Sequence, residues 1–242
     1  VSYVLRELSR PEEYVALAAL ERRIWGADTL ALPPELLRAA RDEGALVAGV
    51  YAEGEVLAAF IFAFPTSFPG VQHSHALGVD AAHRGAGLGA RLKFWQRDWC
   101  LARGVHTVRW TFDPLRLPNA QLNIARLGAH ARQYFEDYYG TLPGINAGTP
   151  SDRLLAEWDL EDPRVRDLAH GRAVTAGAAV KGSERVEIPT DFAALLEHDP
   201  DAALAWRLST RRALQDLFAR GYRIVGFAPE PQPAYLLERG RD

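Results

Sequence analysis

One run limits what this chain can become more than any other: Leu77-Gly-Val-Asp-Ala-Ala-His-Arg84-Gly-Ala-Gly87-Leu-Gly89-Ala-Arg-Leu92. A stretch that alternates like a strand, His73 to Val79, leads into it. A strong amphipathic helix pattern from Gly87 to Arg103 leads out, with Leu88, Leu92, Trp95, Trp99 and Ala102 on one face and Gly104 as its stop. Glycine lowers helix propensity, so three of them at a helix start ask for more than a tight turn. The first backbone N–H groups of a helix lack internal partners, and the helix dipole puts partial positive charge there. Glycines remove the side chains that would hold a diphosphate off those groups. Arg84 adds a full positive charge beside them, a phosphate contact more than a plain surface charge.

Arg84-Gly85-x-Gly87-x-Gly89 also fits a loose phosphate-loop or dinucleotide pattern. A phosphate loop needs Gly-Lys followed by Ser or Thr, and Gly89 is followed by Ala90-Arg91. A dinucleotide fold keeps its glycines near the first strand of a βαβ unit. Here a first strand (Val4–Leu8), two helices (Pro11 to about Trp25; Pro33-Pro34 to near Gly44) and a hairpin (Ala45–Tyr51 with Val56–Phe64) come first. After the long helix the pattern predicts a strand over Val105–Phe112, a turn at Asp113-Pro114 and a helix from about Asn119 to Leu127, closed by Gly128. Arg153–Leu160 and Val186–Ile188 are candidate strands. Thr190–Glu197 and Asp201–Ala219 are predicted helices with Thr190 and Asp199 as caps. Tyr222–Ala228 and Ala234–Glu238 are a closing hairpin, and Ala169–Gly182 is a connection or exposed loop.

The spacing Val79-x-x-x-x-Arg84-x-x-Gly87-x-Gly89, in that order of elements, resembles the acyl-CoA signature of the GNAT superfamily. The resemblance spans roughly residues 1–160. It implies an α/β (α+β) fold, a GNAT-type mixed central sheet flanked by helices, with residues 161–242 as a C-terminal α/β extension that either stands apart or continues the same domain. It implies that the amides of Gly85, Ala86, Gly87, Leu88 and Gly89, with Arg84, hold the diphosphate of acetyl-CoA or another acyl-CoA. The backbone of Leu77, Gly78 and Val79 would pair with the pantetheine arm as with another strand. Asn119-Ala-Gln-Leu-Asn123-Ile-Ala-Arg-Leu-Gly128 resembles the family's Asn-containing helix, so Asn119 or Asn123 would approach that arm. The family often has a tyrosine four residues before this glycine, as acid to the leaving thiolate. Ile124 stands there instead, leaving Tyr134, Tyr138 or Tyr139, or no acid at all. The run from His73 to Gly140 is similar to one bacterial branch usually described as predicted acetyltransferases, some resembling enzymes that acylate or succinylate amino acids.

The reaction implied is direct attack of a neutral amine on the thioester in a ternary complex. His75, Glu136 and Tyr139 are the catalytic candidates; His73 and Asp137 are alternative bases. On strict alternation His73 and His75 share a face with Leu77 and Val79, although structural histidines are commoner than catalytic ones. Asp80 reads as a turn residue. Asp113 reads equally as a turn residue or part of an acyl pocket. Arg109 and Arg126 could hold a substrate carboxylate, but surface arginines are the commoner case.

Composition removes other classes. The formal net charge is -3, with no basic stripe for nucleic acid. The seven histidines show no metal-ligand spacing, so no metal is expected. No apolar run reaches the roughly 18 residues of a membrane span. The single cysteine, Cys100, allows no internal disulfide, and the opening residues lack a secretory pattern, so a cytoplasmic protein is expected. No His-plus-acid pattern marks Cys100 as a nucleophile. The expected partners are acyl-CoA and a small amine, with a homodimer compatible. A non-catalytic CoA-binding or sensing module and a protein-lysine acyltransferase are the competing functions.

Overall fold

The computed structural model describes residues 2–140, 148–172 and 183–240. Among them the chain divides into two compact units, residues 2–109 and residues from 110 onward. The likeness in element order runs to residue 160; compactness divides the chain elsewhere, inside a strand.

In the first unit β1 (Val4–Glu7) precedes α1 (Pro11–Trp25) and α2 (Pro34–Asp42). Then β2 (Leu46–Ala52), β3 (Val56–Pro65) and β4 (Val71–Val79) add antiparallel in the order β1-β2-β3-β4. Helix α3 (Leu88–Leu101) follows, then β5 (Thr107–Phe112), whose Thr107–Arg109 pair in parallel with Val71–His73. The runs in β2 and β3 are apolar throughout because both faces are covered. Val47, Phe60 and Phe62 join Leu17, Leu20 and Leu37 of α1 and α2 on one face. Leu46, Ala59 and Ile61 join Leu88 and Leu92 of α3 on the other, with Trp95 and Trp99 packed against them.

The second unit begins with Trp110 of β5, whose neighbour here is β7. Helix α4 (Leu117–Ala120) continues as a π-helical segment, Gln121–Arg126, and Gly128 at φ +76° follows. The remaining elements are β6 (His130–Phe135), β7 (Arg153–Asp159), α5 (Pro163–Ala169), β8 (Glu184–Glu187), α6 (Phe192–His198), α7 (Pro200–Ala219), β9 (Tyr222–Ala228) and β10 (Ala234–Arg239). Their strands run β7-β6-β9-β10-β8 with antiparallel neighbours, so the closing hairpin extends the sheet of β6 and β7. The fold is the mixed α/β arrangement expected, and the C-terminal residues are α/β as well. No helix among the described residues is long and apolar enough to cross a membrane.

Strand β6 and helix α5 go beyond the sequence expectations. Of β6 only Ala131 is fully buried, so its apolar alternation is faint. Helix α5 is short, and its signal is one cap: Asp162 accepts from the amides of Arg164 and Val165. The predicted cap Thr190 is corrected to Asp191, whose carboxylate accepts from Ala194 N at 3.0 Å. Asp199 caps α7 as expected, accepting from Ala202 N at 3.0 Å. Residues 173–182 of the Ala- and Gly-rich stretch lie outside the described residues.

Helix α7 is tied down by ion pairs rather than grease alone. Arg207 grips Asp113 through two 2.8 Å bonds with both side chains buried. Asp113 Oδ1 also accepts from Leu115 N at 2.9 Å, which makes it a turn residue with a buried partner. Removing one partner strands the other charge without solvent. Arg207→Ala is therefore expected to cost about 3–5 kcal/mol in urea unfolding, while Asp113→Leu combined with Arg207→Met loses less than that single change.

Candidate functional site

Strand β4 stops at Val79, and the chain turns into a 3₁₀ segment, Ala81–His83. Asp80 fastens the turn: its Oδ1 accepts from Ala82 N at 3.0 Å and its Oδ2 from Arg23 Nε at 3.2 Å. Gly85 and Gly87 then adopt φ of +83° and +72°. Nothing lies within 4 Å of a Cβ built at Gly85, so backbone conformation rather than crowding selects glycine there. The first internal bond of α3 runs from Arg91 N to Gly87 O at 3.1 Å. Among the described residues the amides of Gly85, Ala86, Gly87, Leu88, Gly89 and Ala90 reach no main-chain acceptor. Arg84, Gly85 and Ala86 are exposed beside them. The mouth of α3 is thus a row of unengaged donors with a cation at its edge, which is the physical requirement for holding a diphosphate.

The strand leading there keeps an open edge. β4 pairs with β3 as far as Val79, but with β5 only from Val71 to His73. Beyond His73 its second edge has no strand partner among the described residues, so Leu77, Gly78 and Val79 retain main-chain groups for an amide-bearing ligand. Gly78 meets a second demand: a Cβ there would lie 2.6 Å from Phe60 and 2.7 Å from Ile24.

The facing of His73 and His75 is corrected. Ala63 pairs with Ser74 and Phe62 with Ala76, so His75 is the extra residue of a β-bulge. Across the bulge the alternation changes phase. Gln72 and Ser74 bond to α3 before it, and Leu77 and Val79 pack with Leu88 and Leu92 after it. His73 and His75 lie on the opposite face: His73 stacks on Phe64 at 5.0 Å, and His75 meets Phe62 edge-on at 5.9 Å. Burial, helped by the positive neighbours His75, Arg109 and Lys93, lowers the His73 pKa to about 4. Burial also lowers that of His75, although solvent reaches its ring. A base near 4 is poorly matched to an ammonium proton at neutral pH, so the accessible His75 is the better proton acceptor of the two.

A buried polar seam backs β4. Lys93 Nζ donates to Ser74 Oγ at 3.1 Å and to Gln96 Oε1 at 3.0 Å. Gln96 Nε2 donates to Gln72 Oε1 at 2.7 Å, which Cys100 Sγ also reaches at 3.2 Å. Burial lowers the Lys93 pKa to about 7 and pushes the Cys100 thiol up to about 12. Cys100 is a protonated structural thiol, in line with its lack of a nucleophile pattern.

The remaining candidates, Arg109 apart, belong to the second unit. Asn119 is half-buried, and Asn123 on the π-helical segment is 5% exposed. Ile124 is fully buried in the position where the resemblance places a tyrosine. Glu136 has both oxygens engaged, by Arg211 Nη1 and Gln215 Nε2, each at 2.8 Å. The Tyr139 hydroxyl is 3.1 Å from Thr111 Oγ1. Tyr134 donates to Asp152 at 2.6 Å, and burial together with that carboxylate raises its pKa far above its ordinary value. Tyr138 is exposed. Asp137 accepts from Ser151 N at 2.9 Å. The Arg109 guanidinium lies over the Phe68 ring at 5.0 Å, and Arg126 is exposed. Sequence reasoning misses the seam and Arg153. The seam had a signal, since Lys93, Gln96 and Cys100 recur on one helical face. Arg153 had none, being a lone arginine opening a strand.

The model for the Acetyltransferase (GNAT) family matches residues 8–128, half of the chain. No curated protein sequence matches. The ribosomal-protein-S18-alanine N-acetyltransferase of Escherichia coli superposes with a TM-score of 0.54 at 18% identity, over 66% of this chain and 94% of that one. An N-acetyltransferase from Staphylococcus aureus Mu50 gives 0.54 at 15% identity, over 66% and 100%. The ribosomal-protein-S5-alanine acetyltransferase of Vibrio fischeri gives 0.53 at 17%, over 66% and 94%. At these identities the likeness is one of fold.

The low His73 pKa carries a stability consequence. The unfolded histidine titrates near 6.5 and the folded one near 4, so between these values the unfolded chain binds more protons. Stability is expected to fall as pH drops through that window, less so in His73→Gln. Histidine titration by NMR, with urea unfolding at pH 5 and pH 7, checks both the midpoint and the slope.

Proposed function

Because the chain belongs to the GNAT acetyltransferase family, whose members take an acyl group from acyl-CoA, we propose that it passes an acetyl or succinyl group to the amine of a small molecule such as an amino acid. The observation that carries this reading is the row of unengaged amides from Gly85 to Ala90 beside exposed Arg84, directly after a strand with an open edge. The diphosphate would take the amides and Arg84. The pantetheine amides would pair with Leu77, Gly78 and Val79, and by the resemblance Asn119 or Asn123 would reach the same arm. These contacts address coenzyme A itself, so acetyl and succinyl donors share them.

The chemistry asks little beyond positioning. The amine nitrogen forms a bond to the thioester carbonyl carbon and gives up a proton to a base. The carbon–sulfur bond then breaks, and the departing thiolate takes a proton from an acid or from water. A main-chain N–H steadies the oxyanion. His75 is the base this reading favours, being solvent-accessible on β4. Glu136 is less suited, since Arg211 and Gln215 hold both its oxygens. Tyr139, like Tyr138, is exposed and so suited to protonate sulfur, while Tyr134 is tied to Asp152. The ribosomal-protein enzymes among the structural relatives lend their fold and not their acceptor.

One observation favours a second reading. Ile124 leaves no hydroxyl at the usual acid position, as suits a module that binds CoA without turnover. The two readings part on thiol release: with acetyl-CoA or succinyl-CoA and a panel of amines, an enzyme liberates free thiol and acylated product, and a module does not.

Calorimetry with CoA, acetyl-CoA and succinyl-CoA is expected to give one site per chain, and silence at millimolar ligand would sink both readings. Gly87→Val places a β-branched side chain at a left-handed φ in the donor row. It is expected to weaken CoA binding by roughly a hundredfold or more, as loss of several charge-assisted bonds would, while circular dichroism stays near wild type.

A further inference from the structure

Two buried arginines of the second unit share one available carboxylate. Arg207 takes both oxygens of Asp113, and Leu115 N takes a further lone pair of Oδ1. Arg153, only 9% exposed, opens β7 close by and lines the same small hollow as Arg207, Asp113, Arg116, Phe192 and Leu196. Its one hydrogen bond among the described residues runs from Nη1 to the main-chain oxygen of Asp152 at 2.8 Å. The Asp152 carboxylate attracts it but accepts no hydrogen bond from it: Arg211 grips that carboxylate at 2.9 and 2.7 Å, and Tyr134 and the Asp137 amide take the rest. The other face of the Arg153 guanidinium lies over the Tyr139 ring at 5.1 Å.

A guanidinium has five N–H donors in a planar fork. Here one is used. Buried cations are ordinarily paired with an anion; burial lowers the pKa of this one, although Asp113, Tyr139 and Asp152 pull it the other way. The lining of the hollow includes Arg153 and Arg207 with one aspartate, Asp113, whose hydrogen bonds go to Arg207 and the Leu115 amide. The hollow measures about 200 Å³ including its open mouth, and its enclosed part suits a group about the size of a water. The fork matches a planar carboxylate presented at the mouth of the hollow, which asks for less room than a bulky tetrahedral phosphate.

We infer that Arg153 binds the carboxylate of a small-molecule substrate, borne either by the amine acceptor or by a dicarboxylic acyl group such as succinyl. The inference rests on the acyltransferase reading above, and it adds the feature by which this chain selects its substrate. Tyr139 is then a positioning residue as much as an acid candidate, since its ring supports the guanidinium.

The test compares wild type, Arg153→Gln and Arg153→Lys by mass spectrometry of products. One arm sets the twenty amino acids against their methyl esters with acetyl-CoA. The other sets succinyl-CoA against acetyl-CoA on the esters. Wild type is expected to prefer the carboxylate in one arm by roughly ten- to a hundredfold in kcat/KM, the loss expected for a charge-assisted bond, and mainly through KM. Arg153→Gln abolishes that preference, and Arg153→Lys keeps the charge but loses the fork and retains part of it. CoA affinity by calorimetry stays unchanged in both variants, which also reports that they fold. A wild type indifferent to the carboxylate in both arms, or a folded Arg153→Gln with the full preference, overturns the inference and leaves the acyltransferase reading standing. A wild type that fails to bind CoA removes that reading itself, and this inference with it.

Discussion

Strand β4 has to satisfy two edges, and the way it does so governs the rest of the first unit. On one side it pairs with β3 along nearly its whole length. On the other it gives β5 only Val71–His73 and then keeps its main-chain groups to itself. Unpaired backbone is normally a liability in a sheet. It persists where the surrounding fold over-determines the strand or where a ligand is meant to complete it. Both conditions have support here. β3 and the two apolar layers fix β4 from three sides, and the turn that follows presents further unengaged amides. An edge and a helix mouth left open in succession make one continuous surface of donors and acceptors. That surface suits a long, flexible molecule with amides at one end and phosphates at the other.

The cost of holding β4 in this state is carried partly by the seam from Lys93 to Cys100. A buried amine, two buried glutamine amides, a hydroxyl and a thiol would each be unfavourable alone. Linked in series they satisfy one another and fix α3 against the strand more specifically than methylenes would. The seam bonds to Gln72 and Ser74, just before the bulge at His75. It therefore pins the strand at the point where its alternation reverses. Without that anchor the bulge could migrate by one residue, and the phase of Leu77, Gly78 and Val79 would flip with it.

How much of this was legible in the sequence depends on whether the signal was local. The glycine turn and α3 were, since a 3.6-residue stripe and three helix-start glycines are properties of neighbouring residues. The order of the elements through β5 was legible for the same reason. The bulge was not: nothing in His73-Ser-His75-Ala marks the extra residue, which is defined only by its register against Phe62 and Ala63. Strand β6 hid because most of it is not fully buried. The cap of α6 was displaced by one residue, Asp191 for Thr190, because both types cap and only geometry chooses. The candidate chemistry divides likewise. Gly85 to Gly89 and Arg84 stand out by pattern, whereas the engagement of Glu136 by Arg211 and Gln215 joins residues far apart in the chain.

The second unit shows how ionic pairing distributes a limited set of carboxylates. Asp152 is fully buried yet serves Arg211, the Tyr134 hydroxyl and the Asp137 amide at once. Asp113 serves Arg207 and the Leu115 amide. Asp152 is saturated by donors that lock α7 to the sheet or set a turn, Asp113 has three acceptor sites filled, and neither accepts a hydrogen bond from Arg153. Had the fold needed Arg153 only as packing, an aliphatic side chain would fill its place without the desolvation of a charge. A cation kept beside acids that are already committed has instead the electrostatics of a half-built pair. A ligand carboxylate would complete it, which is the condition a selective binding site must meet: stable enough to fold empty, and better satisfied when filled.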